Sequence, residues 1–275
     1  MKSFSFSLPR IDVSLIFPEE MEEIIHRSFS LFQRPEPDSP RCCRLRINRC
    51  STGYELYKDE RFAGIFDDAL AVYGALEDEV ETLLIKSGGE WVTVHAGCVS
   101  VGEGACLIAG KPEAGKTSTT FIMVEMGKNF LCEEMAPVDP SSRLVHPFPL
   151  ALSVSRTFAQ EYGSCRSVKE GRLEDLGQRF SQYVPHEAGK LPLPLRMIIL
   201  PDYNPGFTPD MVSLSPGEAL PDVLECCFPP NRSEEEYFDS VIRLLTGCQI
   251  FRLFTNGIDA TRDLVRRLAE FNLPE

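Results

Sequence analysis

Gly110-Lys111-Pro112-Glu113-Ala114-Gly115-Lys116-Thr117 satisfies the G-x-x-x-x-G-K-[ST] pattern of a phosphate-binding loop at every fixed position. The pattern carries weight only between a strand and a helix, and both are legible here. Ala105-Cys106-Leu107-Ile108-Ala109 is a short apolar run of buried-strand type. Thr117 to Met126 holds neither Gly nor Pro and sets Phe121, Val124 and Glu125 at helical spacing. Lys116, Thr117 and Ser118 therefore open a helix. Its free backbone N–H groups and positive dipole end favour phosphate oxygens, Lys116 can reach β- and γ-phosphates, and the Thr117 hydroxyl can ligate Mg²⁺.

Outward from the loop, Val92-Thr93-Val94-His95 and Cys98-Val99-Ser100-Val101 read as strand and Gly102-Glu103-Gly104 as a tight turn. With the strand into the loop they predict a three-piece hairpin ending at the phosphates. Downstream, Gly127 suits a helix C-cap, and Asn129 to Cys132 is a short strand delivering Glu133-Glu134. Side chains alternate along a strand, so at most one of these carboxylates is expected to face the phosphates. The alternative reading of such a pair is a solvated turn with no role at the loop.

Toward the N-terminus, residues 1–17 alternate as two short strands broken at Pro9, and Pro18 opens a helix with four glutamates in its first turns. His26 in that helix reads as a surface or boundary residue. Pro35, Pro37 and Pro40 make a loop, Arg44 to Arg49 a strand with one solvated basic face, and Tyr54 to Tyr57 continues the meander. Asp67 or Asp68 caps a helix running to about Lys86, stopped by Gly88-Gly89. Toward the C-terminus, Leu150 to Ser155 is strand. Residues 156–194, with Arg156, Arg166, Arg172 and Arg179, read as loops or a mobile lid. Met197 to Leu200 is a buried strand ending at Pro201. Helix at 217–226, helix from about Ser233 to Leu245, strand from Ile250 to Phe254 and helix from Ala260 to Phe271 complete the chain.

A chain of 275 residues, 43% hydrophobic, can bury a substantial core. Its formal net charge of −13 argues against nucleic-acid or anionic-membrane partners, which select a basic excess. No stretch approaches the roughly 20 apolar residues of a membrane helix, and Met1 to Ser7 alternates instead of forming a signal-peptide core, so a cytoplasmic location is expected. The 10 cysteines include no C-x-x-C pair, and most are read as reduced, buried and structural.

From His95 to Asp139 the chain resembles HPr kinase/phosphorylase and its kinase relatives, whose loop sits on a phosphoenolpyruvate carboxykinase-like fold. His95 lies fifteen residues before Gly110, Gly127 eleven after Lys116, and Glu133-Glu134 seventeen and eighteen after it, matching the family's histidine, post-helix glycine and paired aspartates. A weaker likeness runs on through His146-Pro147-Phe148-Pro149, Leu195 to Leu200 and the C-terminal strand and helix. The resemblance implies that residues 110–118 bind nucleotide and that Thr117 ligates Mg²⁺. It makes Glu133 a metal or positioning carboxylate, Glu134 the general base toward a substrate hydroxyl, and places His95 beside the reacting phosphoryl group. Both aspartates are glutamates here, one methylene longer. The family's I-E-I-R-G-type segment has no counterpart in residues 150–200, so no phosphorylase activity is expected.

The expectation is an α/β protein: a P-loop core of phosphoenolpyruvate carboxykinase-like type with a mixed sheet over residues 89–275, and a small α+β N-terminal region over 1–88. The implied activity is an ATP- and Mg²⁺-dependent kinase acting on a hydroxyl, expected to be that of a serine, of a small protein or peptide, and the resemblance extends to formation of a homo-oligomer. The rivals are a small-molecule kinase on the same core and a nucleotide-binding regulatory protein without turnover.

Overall fold

The computed structural model describes residues 1–35, 42–165, 171–175, 180–228 and 233–269. Pro37, Pro40, Arg166, Arg179 and the end of the last helix at Phe271 lie outside them. The chain is mixed α/β and divides into two units, Met1–Gly89 and Glu90–Glu275.

In the first unit, β1 (Lys2–Leu8) and β2 (Ile11–Phe17) are followed by a 3-10 turn (Glu19–Met21) and α1 (Glu22–Phe29). Then come β3 (Cys42–Cys50), β4 (Gly53–Lys58), β5 (Arg61–Phe66) and α2 (Ala69–Gly88). The strands form one sheet in chain order, antiparallel except for the parallel pair β2 and β3. Alternation makes one face apolar: Phe6, Val13, Leu15, Leu45, Ile47 and Leu56 are buried, as are Ile25 and Phe29 of α1 and Val72, Leu76 and Val80 of α2. Phe6 stacks on Phe29 with ring centroids 4.9 Å apart, and Ser28 and Tyr73 share a 2.6 Å hydrogen bond that ties α1 to α2. Asp68 caps α2 by accepting the Ala71 N–H at 2.8 Å. The edge strand β5, not foreseen, carries exposed Phe62 and Ile65 and lacks the alternation that announces a half-buried strand.

The second unit begins with β6 (Val92–Val94), β7 (Ala96–Val101), β8 (Gly104–Ala109) and α3 (Lys116–Glu125). Four short strands follow: β9 (Phe130–Cys132), β10 (Ala136–Val138), β11 (Leu144–Val145) and β12 (Leu152–Ser155). Next are α4 (Arg156–Cys165), β13 (Gly171–Asp175), β14 (Phe180–Pro185), β15 (Leu193–Tyr203) and β16 (Asp210–Leu214). The chain ends in α5 (Pro216–Glu225), β17 (Cys227–Phe228), α6 (Glu234–Leu245), β18 (Gln249–Thr255) and α7 (Ile258–Ala269). Capping boxes at Ser215/Glu218 and Ser233/Glu236 start α5 and α6.

The main sheet is mixed. At its centre β15 runs parallel to both β8 and β18, so the carboxyl ends of three buried strands share one edge. Only β7 and β8 form the expected hairpin; β6 pairs instead with β10 and β17. The chain bends at His95, whose N–H donates to the Cys226 carbonyl at 2.6 Å, and this bend carries β6 away from β7. β15 does not stop at Pro201 but continues to Tyr203. Pairing with β8 ends at Ile199, so beyond it β15 has a ladder partner on the β18 side alone and proline's missing donor is tolerated.

Residues 156–194 correct the expectation of loops, because α4, β13 and β14 lie there, the two strands joining the preceding β12 in a three-stranded sheet of order β12-β14-β13. Phe158, Ala159 and Tyr162 give α4 an apolar stripe. Phe121 of α3 meets Tyr162 and Tyr183 edge-on at 4.6 and 4.4 Å, and the Tyr183 hydroxyl donates to Glu125 at 2.6 Å. Three scattered aromatics in a polar stretch are a weak periodic signal, and packing against α3 makes them structural. No helix among the described residues is long and apolar enough to cross a membrane.

Candidate functional site

The loop between β8 and α3 closes on backbone conformations that its glycines permit. Gly110 has φ +156° and Gly115, the helix N-cap, has φ +99°. Glu113 also takes a positive φ, +65°, unusual for a residue with a side chain. The Ala114 N–H donates to the Lys111 carbonyl at 3.2 Å, and Lys116 Nζ donates to the carbonyls of Gly110 at 2.9 Å and Lys111 at 3.2 Å. The lysine thus bends over the loop it belongs to, while Lys111 points away to Glu225 at 3.5 Å across an exposed pair. Ser118 and Glu113 border a cavity of about 710 Å³ beside the first turn of α3. A helix N-terminus of this kind offers unsatisfied N–H groups and positive potential to an anion.

Helix α3 reaches this position because β7 has no side chain where the two cross. A Cβ on Gly97 would lie 2.0 Å from Thr120 Oγ1, itself donating to the Lys116 carbonyl at 3.0 Å. Phe121, Ile122, Met123 and Val124 are buried behind it, which fixes the helix axis and hence the loop.

The paired glutamates both turn toward the loop, against the expectation that alternation would separate them. The strand ends at Cys132, and Glu134 adopts a left-handed backbone, φ +61°, which cancels the alternation. Glu133 is 2% exposed, and its Oε1 accepts from Thr117 Oγ1 at 2.7 Å. Glu134 Oε2 lies 2.7 Å from His95 Nε2, with both side chains partly open to solvent.

The two carboxyls are driven in opposite directions. Burial, reinforced by the charge of Glu134, pushes Glu133 up to about 8 against the hydrogen bond from Thr117 and the charge of Lys116. Glu134 is held below the usual range, chiefly by its hydrogen bond to His95, with the His95 and Lys116 charges aiding and burial opposing. Glu133 Oε2 is buried with no hydrogen-bond partner. A buried carboxylate oxygen without a partner, beside a threonine hydroxyl at a phosphate-type loop, is a donor set that suits a hard divalent cation sharing its shell with phosphate and water. Among the described residues no group of three or more His, Cys, Asp or Glu side chains could hold a metal by itself.

His95, Lys116, Thr117, Glu133 and Glu134 are therefore gathered around one loop. Three contributors escaped the sequence. Cys226 fixes the His95 backbone through its carbonyl, and its buried thiol is pushed up by burial against the pull of the Gly110 backbone and Lys116. Phe158 and Tyr203 line the cavity from α4 and the end of β15. Register at distant strands brings these residues in, and no local pattern marks them.

No protein-family model matches the chain, and no curated protein matches it. Among solved structures it is similar to the Hpr(Ser) kinase/phosphatase from Coxiella burnetii, at 12% identity over 64% of this chain and 96% of that one, with a TM-score of 0.27. That is a weak likeness at the level of fold.

Proposed function

We propose that the chain is an ATP- and Mg²⁺-dependent kinase, built on a P-loop core of phosphoenolpyruvate carboxykinase-like type, that transfers the γ-phosphoryl group to a hydroxyl, that of a serine, of a small protein or peptide. The observation that carries this reading is the convergence on one loop of an ionised carboxylate, Glu134, and a buried carboxyl, Glu133, hydrogen-bonded to Thr117. A nucleotide that binds without reaction needs the loop; it has no need of two carboxyls with separated protonation states.

In this reading the loop N–H groups and Lys116 hold the phosphates, and Thr117 and Glu133 hold Mg²⁺, which neutralises phosphate charge when bound. Glu134, oriented by His95, accepts the proton of the acceptor hydroxyl as its oxygen bonds to phosphorus and the bond to the departing diphosphate breaks. The acceptor type is drawn from the family resemblance.

Calorimetric titration of ATP with and without Mg²⁺, followed by a phosphate-release assay, tests the proposal. Lys116→Ala should lose most metal-dependent triphosphate affinity. Glu134→Gln should cut turnover by about 10²–10⁴-fold while leaving ATP affinity within severalfold. Metal-dependent binding by the wild-type protein with neither phosphate release in the absence of acceptor nor phosphorylated peptide and ADP in its presence would favour a regulatory nucleotide-binding protein.

A further inference from the structure

The chemistry above leaves the cavity beside α3 unused. At about 710 Å³ it falls in the range of small-molecule sites. It shares Gly115, Lys116, Thr117 and Ser118 with the loop, whereas His95 and Glu134 are not among its walls. The loop thus separates a roomy cavity from the His95–Glu134 pair. A phosphate chain lying over the α3 N-terminus has one end at each.

The walls are aromatic, aliphatic and hydroxylic. Phe158 is half-buried, braced edge-on by Phe121 at 5.3 Å and stacked at 6.0 Å on Tyr162. Tyr203, 46% exposed, stands at the end of β15, its Cβ 3.7 Å from where a Gly115 Cβ would be. Ile122, Val154 and Ile258 also line the cavity, with the hydroxyl residues Ser153, Thr255 and Thr261. A planar heterocycle is the ligand such walls suit: every base has a π-face to stack, and apolar walls take its body.

We infer that this cavity seats the nucleoside half of a nucleoside triphosphate and holds the base by stacking and shape, so that ATP and GTP are accepted comparably. The inference rests on the kinase reading above and deepens it. Adenine and guanine differ at the six position, donor in one and acceptor in the other, and telling them apart with side chains takes a group of fixed polarity. Hydroxyls serve as either donor or acceptor. Asn204, an amide on the wall, has its Oδ1 accepting the Gly206 N–H at 2.9 Å. Glu161 lies on the exposed margin, and Glu113 and Lys116 belong to the loop.

Calorimetry with MgATP, MgGTP and Mg-tripolyphosphate on wild type, Phe158→Ala, Ser155→Trp and Lys116→Ala tests it. Ser155 is exposed at the cavity rim, so a tryptophan there obstructs the space without entering the core. The expected result has ATP and GTP affinities within about fivefold of each other. Phe158→Ala and Ser155→Trp each weaken both by about tenfold or more and leave tripolyphosphate unchanged. Nucleotide affinity unmoved by both variants overturns the cavity assignment, and an ATP-to-GTP ratio beyond about 100 overturns the permissive reading of the base. Tripolyphosphate that fails to bind wild type, or ATP affinity unchanged in Lys116→Ala, removes the phosphate loop itself, a failure of the kinase reading that these arms separate from a failure of the cavity.

Discussion

Glu133 and Glu134 are neighbours in the chain and opposites in protonation. Burial holds the first up to about 8, while the hydrogen bond from His95 holds the second down. A carboxyl whose folded pKa lies above its unfolded value stabilises the fold fully below the unfolded value, about 4.5, and loses that contribution as pH rises through about 8. Thermal unfolding of the ligand-free protein at pH 5 and pH 8 should show stability falling across this window, and Glu133→Gln should flatten the fall. An unchanged slope in the variant would mean that Glu133 is ionised throughout. Metal competes with the proton for this carboxylate, so on the kinase reading MgATP binding strengthens with pH over the same window. The acidic pair was placed near the loop by the family resemblance, whose spacing from Lys116 it matches; read alone it was a solvated turn. Its separated protonation states were not legible in the sequence, because they arise from the left-handed turn at Glu134, from burial, and from a histidine 39 residues away.

Among the elements, α3 is the one whose placement matters most, and Gly97 is the residue that permits it. Gly97→Ala drives a methyl into Thr120 Oγ1 and should destabilise the second unit by about 1–3 kcal/mol, the usual penalty of overpacking. Thr120→Ala in the same chain should recover much of that loss, so a double-mutant cycle in denaturant should show strong coupling. Additive single effects would place the helix farther from β7. The helix itself was plain from sequence, as were the strand before it and the capping glycine after it. Helix α4 and strands β13 and β14 were read as loop because their side chains are mostly polar; Phe158, Tyr162 and Tyr183 acquire their role from Phe121 on another element.

At the scale of the molecule, all residues of the candidate site lie in the second unit, Glu90–Glu275. On the kinase reading, a fragment of residues 90–275 that folds, judged by cooperative thermal unfolding, should keep MgATP affinity within severalfold of the full chain. A folded fragment that binds more than tenfold less tightly would place part of the nucleotide site in the N-terminal unit. The site sits at the edge where β8, β15 and β18 end together, the usual position for a ligand in parallel sheets, where strand ends leave backbone groups and loops free to converge. By itself the sequence determined the loop and its flanking strand and helix, because these rest on local spacing and on φ values that glycine permits. Only the tertiary structure decided that β6 leaves the hairpin, that β15 runs on to Tyr203, and that Cys226, Phe158 and Tyr203 meet the loop. Those contacts join residues tens of positions apart, and sheet register and core packing select them, which no local pattern records.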